Sequence, residues 1–282
     1  QPTSASAANA QPTAALKKVP GACRKIASMN RLQTWVINLD RAPERLARAA
    51  QQLQRLKLPF TRLAAVDACA LTAEQAASLD AAAYCRKHGM TPVLGELGCY
   101  LSHVQAMHAF LASSADFALI LEDDALLHDS LPAVLQGLID KADRWDVAKL
   151  SAVHSGTPVP VLQVAPGHTL AVMLSRCTGS SAYLVNRRAA QAYAAGLLPM
   201  SLPYDHVFDQ GWRFGLKVRL VTPTPCGHDE EIASTIVAPP GGSRKFHWTR
   251  RLPAYAYRLG NECRRLAHGL TQVAREKLAF NG

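Results

Sequence analysis

Three consecutive carboxylates, Glu122-Asp123-Asp124, close the apolar run Phe117-Ala118-Leu119-Ile120-Leu121 in a chain of 282 residues. An apolar run of that length predicts a strand buried on both faces, as in a parallel sheet beneath helices. Three acidic groups at its carboxyl end repel one another, so a positive group is expected beside them. Ligands of open α/β sheets bind just beyond the carboxyl ends of the strands, and the position therefore suits a site. Strand alternation sends Glu122 and Asp124 to one side and Asp123 to the other. Two oxygen donors facing the same way suit a hard cation, Mn²⁺ or Mg²⁺, that keeps part of its shell for water and phosphate. The competing reading is a solvated acidic turn.

The elements that must position this run are legible around it. Thr34 to Asp40 reads as a short apolar strand turning polar. Pro43 and Glu44 then open a helix that repeats Leu46, Ala50, Leu53 and Leu56 at helical spacing. A further strand is expected near Phe60–Val66, and Thr72 with Gln75 makes a capping box for a short helix. The helix opened by Gly95 carries Leu97, Leu101, Val104, His108 and Leu111 on one face, with Glu96, Cys99 and His103 on the adjoining one. His103 is read as either a satisfied structural residue or a hydrogen-bonding partner of a ligand. Asp146–Ser151, Thr178–Val185 and Lys217–Thr222 are expected strands, and Asn186 is an expected cap for a helix reaching about Gly196. Residues 152–169, with three Pro and two Gly, read as a loop.

Composition sets the bounds. A hydrophobic fraction of 49% with 18% charged residues describes a chain folded over most of its length. No stretch approaches the eighteen or so apolar residues of a spanning helix, and residues 1–30 contain no signal-like apolar core. Gln1 in place of Met points to a trimmed or processed chain. Seven scattered cysteines without a Cys-x-x-Cys pair suggest reduced thiols and a cytosolic enzyme. Of the net charge of +10, the segment from Arg244 onward carries +7, set by nine Lys or Arg against Glu262 and Glu276. Its stripe of Leu259, Cys263, Leu266, Leu270 and Val273 between arginines suits either an anionic membrane surface or docking on the domain.

In order along the chain, the sequence resembles the family 25 glycosyltransferases, the bacterial lipooligosaccharide and lipopolysaccharide transferases with the collagen galactosyltransferases as relatives. The matching pieces are Val36-Ile37-Asn38-Leu39-Asp40-Arg41 with Glu44-Arg45, Gly95-Glu96-x-Gly98-Cys99-x-x-Ser102-His103, and Ile120-Leu121-Glu122-Asp123-Asp124. Tyr183-Leu184-Val185, Pro203-x-Asp205-His206 and Ser234-Thr235-Ile236 continue the match. The resemblance implies an α/β, GT-A-like fold with a mostly parallel central sheet and flanking helices. It also implies a nucleotide-sugar donor, usually a divalent cation, and in the bacterial branch galactose from UDP-galactose in a β linkage.

On that resemblance Asn38, Asp40, Arg41, Arg45, Glu122, Asp123 and His103 are expected around the donor. Arg41 and Arg45 would neutralise diphosphate oxygens, unless they belong to a solvated helix face. Glu122 and Asp124 would hold the metal, with His228 as third ligand or as a plain surface histidine. An inverting reaction needs one general base on the acceptor side. The resemblance puts Asp205 there, with Asp209 second; Asp205 could equally cap a helix or bind acceptor. The expected organisation is a disordered leader over 1–30, the transferase domain over 31–240, and a basic helical tail over 241–282. The expected enzyme works on a lipid-linked or oligosaccharide acceptor of lipopolysaccharide core, in the cytoplasm and peripherally at the inner membrane. The rivals are another nucleotide sugar, a different glycan or protein acceptor, or a basic nucleic-acid-binding protein. The body shows no basic stripe with stacking aromatics, which disfavours the last.

Overall fold

The computed structural model describes residues 31–228 and 244–280. The expected leader and the Ser234-Thr235-Ile236 piece lie outside them. The elements in order are β1 (Leu32–Asn38), α1 (Pro43–Arg55), β2 (Thr61–Ala64), α2 (Ala73–Ala77), α3 (Ala81–His88), α4 (Leu94–Ala112), β3 (Phe117–Glu122), β4 (Ala125–Leu127), α5 (Leu131–Ile139), β5 (Val147–Lys149), β6 (Pro158–Ala165), β7 (His168–Met173), β8 (Ala182–Asn186), α6 (Arg187–Gly196), α7 (Tyr204–Phe208), α8 (Gly211–Phe214), β9 (Val218–Thr222), β10 (Cys226–His228) and α9 (Leu252–Phe280).

Eight strands form one sheet in the order β2-β1-β3-β8-β5-β9-β7-β6. Their pairings make β8 and β7 antiparallel to their neighbours while β1 pairs in parallel with β2 and β3, and β5 with β9. The sheet is therefore mixed, though most of its strands point one way. Side-chain alternation splits the core into two layers. Trp35, Ile37, Ala118, Ile120, Tyr183 and Val185 pack with α4 and α6. Val36, Leu119, Leu121 and Leu184 pack with α1 and α5 on the other face. Residues 117–121 of β3 are all 5% exposed or less, so Phe117, Leu119, Ile120 and Leu121 each contribute about 1.5–3 kcal/mol of burial.

Local signals account for several boundaries. The Thr72 hydroxyl and the Gln75 side chain cap one another's backbone at α2, and the Asn186 side chain accepts from Ala189 N–H at the start of α6. On α4 the burial is wider than a single stripe and leaves His108 exposed. The expected loop over 152–169 is corrected: it contains β6 and the start of β7, a hairpin turned at Gly167 with φ of 74°. Pro158 and Pro160 are tolerated because β6 is the edge strand, where a missing N–H faces no neighbour.

The long helix α9 lies against α3, β6, β7 and α8. Its buried positions are mostly polar: Asn261, Arg265, Gln272 and Glu276, together with Ala254 and Gly269. Arg219, 1% exposed on β9, donates to Gln272 Oε1 (3.0 Å) and Glu276 Oε1 (3.1 Å), and Arg144 Nε donates to Glu276 Oε2 (3.0 Å). The leucines point the other way, with Leu252, Leu259, Leu266, Leu270 and Leu278 between 45% and 74% exposed. No helix among the described residues is long and apolar enough to cross a membrane.

Candidate functional site

Strand β3 ends at Glu122, and Asp123 and Asp124 form a turn leading into β4. The three carboxylates have different partners. Asn38, buried at the end of the neighbouring strand β1, donates from Nδ2 to Asp123 Oδ2 (2.7 Å) and to the Ala42 carbonyl (2.9 Å). Arg45, in the first turns of α1, reaches both Asp123 Oδ1 (2.5 Å) and Asp124 Oδ2 (2.9 Å) from one guanidinium nitrogen. It is the positive group that the acidic run requires. Only that nitrogen is engaged there; the buried Nε of Arg45 has no hydrogen-bond partner. Arg41 lines the same cavity and pairs with Asp67, whereas Asp40 sits on an exposed turn paired with Arg62 and stays outside the lining.

Glu122 faces α4. Its Oε1 lies 3.4 Å from His103 Nε2 and accepts from the Ser180 hydroxyl at 3.3 Å. His103 is 1% exposed, meets the Tyr183 hydroxyl through Nδ1 (3.0 Å), and stacks on Tyr204 with centroids 4.1 Å apart. Tyr183 in turn reaches the Tyr204 hydroxyl at 3.1 Å. His103 is thus held in a buried polar chain, and its Nε2, which has no hydrogen-bond partner, faces the Glu122 carboxylate. The Gly98 of the α4 motif has a steric cause, since a Cβ there would stand 2.6 Å from the Val66 carbonyl oxygen. The helix can approach the segment after β2 only without one.

His228 is placed by the short β4–β10 ladder, in which it pairs opposite Ala125. Its Nδ1 stands 3.8 Å from Asp124 Oδ1. That oxygen is buried and has no hydrogen-bond partner. Burial, and then the charge of Glu122, push the Asp124 carboxyl up to about 6. Burial likewise raises Asp123, against the pull of Asn38 and Arg45. Burial works against ionisation of Glu122 too, but His103, Ser180 and His228 together hold it below the ordinary carboxylate value. An unpartnered buried carboxylate oxygen beside a second carboxylate and an imidazole fits a hard divalent cation. Among the described residues the trio whose ligand atoms lie within 4.8 Å of one another is Cys99 Sγ, His103 and Glu122; Glu122, Asp124 and His228 do not all lie that close. Burial and four nearby carboxylates raise the Cys99 thiol well above its ordinary value, which makes it a poor thiolate donor.

Two concavities meet at the acidic turn. The first, at the carboxyl ends of β1 and β3, is lined by Asn38, Arg41, Arg45, His103 and all three carboxylates. The second is lined by Glu122, Asp124, His228, Ser180, Tyr204 and Asp205, but not Asp123. Glu122 and Asp124 thus border both concavities, and Asp123 borders the first. Asp205, in the first turn of α7, accepts from Gly179 N–H at 3.2 Å through Oδ2 and faces the second concavity. Asp209 does not, and this corrects its expected standing as a second base. It is 6% exposed, accepts from both Arg265 terminal nitrogens (2.7 and 3.3 Å) and from Cys177 N–H, and serves to seat α9. Cys99 and Ser180 were not expected at the site; the Glu96-Cys99-His103 face of α4 carried the signal for the first, and nothing local carried it for the second.

A family model described as "Glycosyltransferase family 25 (LPS biosynthesis protein)" matches residues 31–208. The chain is also 27% identical over 182 residues to Procollagen galactosyltransferase 1 of Danio rerio, a match covering 61% of this chain and 30% of that protein. The chain thus spans less than a third of the length of that relative. With the acidic turn of β3, the α4 motif and Asp205 all inside the matched segment, the chain belongs to glycosyltransferase family 25.

Proposed function

We propose that this chain is a metal-dependent, GT-A-like glycosyltransferase that moves galactose from UDP-galactose, with inversion to a β linkage, onto a lipooligosaccharide or lipopolysaccharide core acceptor. The observation that carries the reading is the position of Glu122 and Asp124, which border both the cavity over β1 and β3 and the cleft holding Asp205. The donor occupies the first and the acceptor the second. Glu122 and Asp124, with His228 beside them, would hold Mn²⁺ or Mg²⁺; when bound, such an ion stabilises negative charge on the departing diphosphate.

The remaining work belongs to the chain. The acceptor hydroxyl oxygen attacks the anomeric carbon while the bond from that carbon to the diphosphate oxygen breaks. UDP leaves with the electron pair, and the acceptor proton passes to the Asp205 carboxylate, whose Oδ2 is steadied by Gly179 N–H. Asn38 and Arg45 hold Asp123 and Asp124 in register, and the His103–Tyr183–Tyr204 set orients Glu122 from below. Assaying a panel of UDP-sugars with and without Mn²⁺ tests the reading. UDP-galactose turnover that requires the ion is expected, and absence of turnover on every donor would remove it. A protein acceptor is the second reading, favoured by the similarity to a procollagen galactosyltransferase.

The exposed leucines of α9 support a peripheral position on an anionic membrane, which on the lipopolysaccharide reading is the cytoplasmic face of the inner membrane. Arg250, Arg264, Arg275 and Lys277 are exposed near the stripe, and each basic group near such a surface contributes about 1 kcal/mol. Docking on the domain and adsorption to lipid are compatible, because they use opposite faces of the helix.

A further inference from the structure

A third concavity, of about 440 Å³, lies beside the acceptor cleft, between the end of α3, the segment before Thr178 and the middle of α9. Its polar lining includes Lys87, His88, Arg176, His206, Arg258 and Asn261. Lys87 Nζ donates to Ser201 Oγ (2.7 Å), and Arg258 donates to the His88 carbonyl (2.7 Å). The Arg176 guanidinium has no hydrogen bond or ion pair among the described residues. None of these three cations makes an ion pair with a carboxylate among the described residues; Asp80 acts on Lys87 only at longer range. Glu262, the one acidic residue of the lining, is turned instead toward Arg176 N–H (3.2 Å) and Arg265 Nε (3.6 Å). His88 is 8% exposed, and its buried Nδ1 has no hydrogen-bond partner.

We propose that this cavity is a subsite for a phosphate group carried by the acceptor. The assignment rests on the transferase reading and deepens it. Uncompensated arginine forks and a lysine match phosphate oxygens in geometry and charge. His88 adds a neutral ring nitrogen: burial first, then His206 and nearby arginines, lower it to about 3. Burial also lowers Lys87, with Arg213 and against the pull of Asp80, and lowers Arg258 with help from Arg251 and Arg176, so the cations are crowded. The cavity is joined to the chemistry through two shared walls. Neighbouring residues of α7, Asp205 and His206, line the cleft and the cavity respectively. The segment 175–181 likewise gives Ser175 and Arg176 to the cavity and Gly179 and Ser180 to the cleft. An acceptor whose hydroxyl meets Asp205 can therefore place a phosphate among Lys87, Arg176 and Arg258.

The test has a binding arm and a kinetic arm on the full chain. Inorganic pyrophosphate is titrated by calorimetry into wild type, Arg176→Gln, Lys87→Gln and, as a donor-side control, Arg45→Gln, each first shown to melt cooperatively. Binding weakened about tenfold by either cavity variant and retained in Arg45→Gln is expected. No binding, or binding lost only in Arg45→Gln, would overturn the subsite. In the second arm, KM is compared for one acceptor sugar with and without a phosphomonoester. A lower KM for the phosphorylated sugar, with the preference lost in Arg176→Gln, is expected. Equal KM values alongside pyrophosphate binding would assign the cavity to free phosphate and overturn the acceptor role. Failure of transfer on every acceptor would count against the enzyme reading while leaving the binding arm to stand.

Discussion

The seat of α9 gives the sharpest energetic test. Glu276 is 9% exposed and is the carboxylate that compensates Arg219, itself 1% exposed in the middle of the sheet, while also pairing with the more open Arg144. In Glu276→Gln the Arg219 charge stays buried with only neutral hydrogen-bond partners, Gln272 and the new amide, and with Asp146 acting at longer range. Breaking a buried pair from one side costs about 3–5 kcal/mol. For a chain of this size each kcal/mol moves the melting temperature by about 2–4 °C, so a fall of about 6–20 °C is expected. Thermal unfolding followed by circular dichroism at pH 7 measures it. The pH dependence has a definite sign. Burial alone would raise the Glu276 carboxyl, but Arg144 and Arg219 outweigh it and hold the group below its ordinary 4.5. Its stabilisation is therefore present above pH 4.5 and lost as pH falls through the lower folded value, so the gap between wild type and variant should close in acid. Replacing both partners, Arg219→Met with Glu276→Leu, should recover much of the loss. A single variant that melts with wild type at pH 7 would refute the account of how α9 is held.

Three other outcomes are expected. Asp205→Asn should lose transfer and keep UDP-sugar affinity within a few-fold by calorimetry; lost donor binding would move Asp205 into the donor cavity, and normal kcat would end its candidacy. Asp124→Asn should abolish transfer without unfolding the chain, and excess chelator should do the same to wild type; activity surviving both would remove the metal from the mechanism. The Leu259→Glu/Leu266→Glu pair should reduce flotation with anionic vesicles while leaving the melting temperature unchanged, because both side chains are exposed. Flotation that ignores lipid charge or salt would sink the membrane assignment, since exposed charges are screened over about 8 Å at physiological ionic strength.

What could be read from sequence follows the range of the physics. The β3 run, the α1 repeat, the Thr72–Gln75 box and the Asn186 cap are local, set by neighbours a few residues apart, and all appear where their patterns put them. The fate of Asp209 depended on Arg265, 56 residues downstream, and no spacing rule connects the two. Arg45 shows the same limit. A basic residue near an acidic turn was foreseeable, but whether its partner would be a diphosphate or two aspartates depended on how α1 sits against β3. Prolines in 158–160 argued against a strand because sequence does not say which strand will be at the edge. The α9 stripe was visible at once, yet the face that docks is the one bearing Arg265, Gln272 and Glu276, whose value lies in partners elsewhere in the chain.

The inverted seating of α9 also bears on how the enzyme meets its substrate. The same helix offers leucines outward at 259 and 266 and, from its inner side, gives Tyr257, Arg258 and Asn261 to the basic cavity. Adsorption through the outer face would bring that cavity to the height of the lipid headgroups. Search for an acceptor anchored in the same leaflet then becomes two-dimensional, and its effective concentration is set by surface density instead of bulk amount. With the proposed lipid-linked acceptor, the enzyme would consequently tolerate weak contacts with the sugar itself, and successive turnovers on one patch of bilayer would need no return to bulk solution.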